Sequence, residues 1–176
     1  MPGIGEFYGG LLHPILVLPH FLVLLVFALL IGQSGVQAMR LAYPPFMLAL
    51  LIGLFLAGFE IAPVLPSEKL LLTAATLCGL VVAAKRPPPG WILAVLSGIA
   101  ALVIGMDSGV TGLDRRETFS ALAGCWLGAV LLILVIAGVA EMARRPWQHV
   151  AVRVLGSWIA ASAVLVLALT LRPQVA

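Results

Sequence analysis

Apolar residues fill six stretches of this chain, each closed by a short break rich in proline, glycine or charge. The runs are Leu11–Ile31, Pro45–Ile61, Lys69–Ala84, Trp91–Met106, Phe119–Glu141 and Val150–Leu171. A helix that crosses a bilayer needs roughly 20 mainly apolar residues, and all six runs reach or approach that length. Backbone hydrogen bonds at membrane depth must close within each segment, so helices are expected throughout. The pattern predicts an all-α polytopic membrane protein, a six-transmembrane-helix bundle, with residues 1–176 as a single transmembrane domain. Breaks such as Ala62-Pro63-Val64-Leu65-Pro66-Ser67 and Lys85-Arg86-Pro87-Pro88-Pro89-Gly90 are brief. Short links predict that successive helices pack as antiparallel neighbours.

Polar residues inside the runs are few. His13 and His20 lie in the first, seven residues apart, which is nearly two helical turns and predicts a shared face. Pro19 intervenes. Its ring lacks an N–H and clashes with the carbonyl of Ile15, so the helix should kink or begin afresh there. A carbonyl freed at depth is tolerated only against protein or a wet cavity, which turns His20 towards the bundle interior. Gly124 and Gly128 form a small-xxx-small pair that predicts close helix approach. Pro146 suits a helix start, and Trp147 beside it an interface anchor.

Composition agrees with this picture. The chain is 62% hydrophobic and 10% charged, with a mean hydropathy of +1.18. Soluble domains carry about 25% charged residues, so this chain belongs in a membrane, with lipid as its solvent. The net charge of +3 needs no nucleic-acid partner, because the positional bias of the cations accounts for it. Cys78 and Cys125 lie in apolar runs and read as packing residues rather than a disulfide. Residues 1–10 hold no Lys or Arg, so a signal peptide of the usual form is not expected.

With six spans, Arg40, Lys85, Arg86, Arg144, Arg145 and Arg153 share one side, against Lys69, Arg115, Arg116 and Arg172 on the other. The positive-inside rule puts the first set in the cytoplasm and both termini outside, in the periplasm if this is a bacterial inner membrane. Among the acids, only Glu141 falls on the inner side. Gly58-Phe59-Glu60 and Gly105-Met106-Asp107 echo one another at the ends of the second and fourth runs, which predicts carboxylates at similar depth. The candidate site is therefore His13, His20, Glu60 and Asp107 at the outer ends. Imidazole and carboxylate together suit a divalent transition-metal ion, and ionisable groups within spans are functional candidates. Glu6, Glu68, Asp114 and Glu117 read as solvated loop charges.

The stretch Gly9-Gly10-Leu11-Leu12-His13-Pro14 through His20, with a span ending Ile31-Gly32-Gln33, resembles the opening of the HupE/UreJ family. Those are small bacterial membrane proteins of about six spans, associated with hydrogenase and urease and regarded as nickel or cobalt permeases. Their first-span motif is His, five residues, Asp-His. Here both histidines match and Pro19 replaces the aspartate. Their second motif, Phe-His-Gly-x-Ala-His-Gly-x-Glu, falls on residues 96–104. There Gly98 and Ala100 fit, while Ser97, Ala101 and Ile104 stand where the histidines and glutamate belong. The resemblance implies a divergent branch: a permease for a divalent ion, nickel or cobalt, captured at the outer side, with no permanently bound cofactor. A non-transporting accessory subunit of a metalloenzyme or maturation complex is the alternative, since the inner half of the bundle offers few ligands. Enzymatic function is not expected. Val95-Leu96-Ser97-Gly98 lacks the first glycine of the rhomboid-protease motif, and the sixth run has no internal histidine.

Overall fold

Pro19 does start a new helix. In the computed structural model, which describes residues 5–61, 66–110 and 112–171, the first run divides into α1 (Glu6–Leu16) and α2 (Leu18–Gln33). Val17 links them with extended backbone, and the two helices are bent by 70°. The remaining elements are α3 (Val36–Gly58), α4 (Ser67–Ala84), α5 (Gly90–Asp107), α6 (Arg115–Glu141) and α7 (Pro146–Thr170). All described regular structure is helical. The last five are each long and apolar enough to cross a membrane, and the bent pair supplies a sixth crossing if counted as one span. The break at Ala62–Leu65 and the cation Arg172 lie outside the described residues.

Helix boundaries follow local chemistry. Asp114 caps α6 by accepting from the Glu117 amide at 2.7 Å while the Glu117 carboxylate accepts from the Asp114 amide, a reciprocal capping box. Pro146 is the first residue of α7, where its missing N–H costs nothing. The second span begins nine residues before Pro45, at Val36, and carries Pro44 and Pro45 inside it. Prolines within a membrane helix are tolerated because neighbouring helices compensate.

The order of packing departs from the expected one. Sequential helices are not the main neighbours: α3 packs on α5, α4 on α7, and α6 on both α1 and α2, while α6 and α7 barely touch despite their four-residue link. The reason is where the small residues fall. Gly53 on α3 and Gly105 on α5 face each other so closely that a Cβ on Gly53 would meet the Leu102 carbonyl oxygen at 2.5 Å. Pro45 meets Gly98 and Ala57 meets Gly109 in the same register, so these two helices run parallel. Gly79 and Gly156 join α4 to α7 in the same manner. Without a hydrophobic driving force inside lipid, such small-residue faces select partners more strongly than loop length does. Gly124 and Gly128 do mark a close approach: they receive Phe7 and Leu11 of α1.

At the centre lies α2. It is apolar all round, as a helix enclosed by others must be, and Leu22–Leu24 and Val26–Gly32 are all buried. Trp126 of α6 ties this assembly to α3 by donating its indole N–H to the Met47 carbonyl at 3.1 Å. Trp126→Phe is expected to lower stability by about 1 kcal/mol, read as a fall of roughly 2–4 °C in melting temperature in detergent.

Candidate metal site

His20 occupies the first turn of α2 and is completely buried. Asp107, the last residue of α5, reaches it: the His20 Nε2–H donates to Asp107 Oδ2 at 2.9 Å. The other carboxylate oxygen accepts from the hydroxyl of Ser67, the first residue of α4. Three helix ends thus converge on one carboxylate. An ionised carboxylate only accepts, so the proton sits on Nε2 of His20 and a neutral ring keeps its lone pair on Nδ1. That Nδ1 is buried and has no hydrogen-bond partner among the described residues.

His13 completes the arrangement from α1. Its ring meets that of His20 edge-on, with centroids 5.4 Å apart and planes at 60°. The Nε2 of His13 is likewise buried without a partner. The expected shared helical face is thus replaced by a meeting across the 70° bend between α1 and α2. Buried polar atoms are paired in nearly all native structures, and here two imidazole nitrogens on adjacent rings are left without a protein partner among the described residues. Beside His13, a cavity of about 170 Å³ opens, lined by Glu6, Gly9, Gly10, Ser108 and Cys125 among others.

Glu60 does not join this group. It is exposed just beyond the end of α3, with a left-handed backbone (φ 59°), and its carboxylate takes part in no hydrogen bond or ion pair among the described residues. The packing register explains why. Ala57 stands opposite Gly109, so Glu60 projects about a turn beyond the level of Asp107. The two carboxylates of the echo are therefore not at one depth. Among the described residues, no three His, Cys, Asp or Glu side chains converge on a single point. His13 and His20 present free nitrogens, while Asp107 spends its oxygens on His20 and Ser67.

Two participants escaped the sequence reading. Ser67 sits in what looks like a loop, and only the fold of α4 against α5 brings it to Asp107. Glu6, read as a solvated loop charge, lies on α1 and lines the cavity beside His13, although it stays exposed. Its signal was its spacing, seven residues before His13. On α5, Ser97, Ala101 and Ile104 are fully buried. The Ser97 hydroxyl donates within its own helix, to the Ala94 carbonyl at 3.2 Å, and makes no hydrogen bond to a histidine among the described residues. Both free cysteines are buried packing residues.

Asp107→Asn tests the orienting carboxylate. Its amide can still accept from His20, but without a charge to hold the ring. Loss of such a partner typically weakens metal binding 10–100-fold, so if the two histidines hold a divalent ion, Asp107→Asn should lower its affinity about tenfold or more by calorimetry.

A helical membrane protein in which a carboxylate holds one buried histidine, with a second histidine ring packed against it, is the class that this fold and site define. The chain belongs to the HupE/UreJ family: the model of the HupE / UreJ protein family matches residues 2–166. That family is associated with nickel and cobalt uptake for hydrogenase and urease, and is a membrane metal-transporter type rather than an enzyme family. No curated protein and no solved structure matches the chain.

Proposed function

We propose that this protein is a permease-type carrier of a divalent transition-metal ion, nickel or cobalt, that captures the ion at the end of the bundle bearing His13 and His20. The observation that carries the reading is the pair of buried, unpartnered nitrogens, His13 Nε2 and His20 Nδ1. Nitrogen donors of this kind suit nickel and cobalt, and a carboxylate behind one of them raises its basicity. Two imidazoles without a third convergent side chain leave coordination positions open to water. That makes a site able to release its cargo, as transport requires. Asp107 orients His20, and Glu60 adds negative potential at the rim. Membership of the family favours a bacterial inner-membrane location, and the bias of cations favours both termini in the periplasm, so capture faces outward.

A second reading, a non-transporting subunit of a metalloenzyme or maturation complex, draws on the sealed centre of α2. Between His20 and Gln33 the helix is buried and apolar for about 20 Å, with no polar step for an ion. The permease reading therefore requires α2 to shift against its neighbours during transport. Radiolabelled nickel and cobalt uptake separates the two. The host would lack its own importers and express wild type, His20→Ala and Asp107→Asn at equal membrane levels. Uptake by wild type that collapses in both variants is the expected outcome. Metal binding by purified protein without uptake would instead support the subunit reading.

A further inference from the structure

At the opposite end of the bundle from the histidines, α6 and α7 splay from their short link and leave an apolar groove of about 580 Å³. Its floor is Leu25 and Leu29 of the central helix, and its walls include Val139 of α6 and Leu155 of α7. Beside it lies a second cavity, of about 220 Å³, whose wall includes Gln33, Lys85, Glu141 and His149. The two share Ala140, Ala143 and Val152, so they lie side by side, an apolar groove next to a more polar cavity. Trp147 lines the larger groove.

We propose that the two form a binding site for a single phospholipid with an anionic headgroup, one acyl chain in the groove and the phosphate in the polar cavity. Length fits a lipid of one leaflet. From Trp147 to Leu155 the groove follows α7 for eight residues, about 12 Å, against roughly 15 Å for half a hydrocarbon core. Charge fits the headgroup. Lys85 lines the polar cavity with His149, and Arg86, Arg144, Arg145 and Arg153 lie at the same end of the bundle. Arg153 is fixed there by donating from Nε to the Ala83 carbonyl at 2.8 Å. Glu141 is the one acid among the described residues that line the cavity, and the Arg144 guanidinium answers it at 3.6 Å. Basic pockets between membrane helices on the positively biased side are suited to anionic headgroups. A groove at membrane depth is also too apolar to hold water, so a hydrocarbon chain is its natural filling.

Native mass spectrometry of the full chain, released from mild detergent, tests this. Phosphatidylglycerol and phosphatidylethanolamine with identical chains would be titrated separately. Wild type is expected to hold one phosphatidylglycerol about tenfold more tightly than phosphatidylethanolamine. Lys85→Gln should reduce that preference about fivefold, the loss expected for one cation near a headgroup. Ala151→Phe, which fills the groove from α7, should weaken both lipids. Equal affinities for the two lipids, or a preference untouched by Lys85→Gln in a folded protein, would overturn the proposal. So would a dimer whose formation Ala151→Phe abolishes and added lipid does not, because the groove would then belong to a second copy of the chain.

Discussion

His20→Ala is expected to weaken nickel or cobalt binding by about 100-fold or more and to abolish uptake. The substitution removes one of the two free nitrogens. It also strips Asp107 of its histidine partner, which leaves a half-covered carboxylate held only by Ser67. Losing an outer partner of a metal ligand alone costs 10–100-fold, and losing the ligand itself costs more. Calorimetry in nanodiscs would read the binding, and the melting temperature would be measured alongside. The stability cost is of order 1–3 kcal/mol, as for a partly buried group deprived of its partner. His20→Gln separates the two effects. Glutamine can donate to Asp107 and restore stability, but offers no imidazole nitrogen. Recovery of metal affinity in His20→Gln would show that the nitrogen was never a ligand and would overturn the site.

Gly10→Ala carries the second large effect, and it acts at a distance. A Cβ on Gly10 would lie 1.8 Å from the Ala121 carbonyl oxygen, backbone that cannot turn aside. Gly124 and Gly128 show the same tightness from the α6 side, where a Cβ would meet the Phe7 and Leu11 carbonyl oxygens at 2.0 and 2.2 Å. One methyl must push α1 away from α6. Overpacking of this kind costs about 1–3 kcal/mol, a fall of roughly 3–10 °C for a chain of this size. The functional consequence follows from the 70° bend: α1 reaches the site only by lying on α6, so displacing it carries His13 away from His20. Metal affinity should fall about as far as in His13→Ala, although no ligand is altered. Gly9→Ala is the control, since a Cβ there meets nothing within 4 Å. Equal, undiminished affinity in both glycine variants would mean that α1 does not position His13.

Much of this architecture can be read from the order of residues alone. Apolar runs of membrane length dictate helices because lipid offers no partner for a free backbone group. Proline chemistry at position 19 dictates a break in the first run. Both histidines and Asp107 stand out as ionisable groups in apolar surroundings, and the first-run motif carries the family. What the order of residues does not encode locally is which helix faces which. Brief loops argue for sequential neighbours, yet close-packed glycines join α3 to α5 and α4 to α7, because in lipid the depth of contact outweighs the shortness of a link. The pairing register then sends Asp107 inward to His20 and leaves Glu60 at the rim, though the two share a sequence context. Ser67 enters for the same reason: it lies far along the chain from Asp107, the carboxylate it donates to. Residue type names the chemistry available, and only the packing of backbones against one another decides which of those groups share a site.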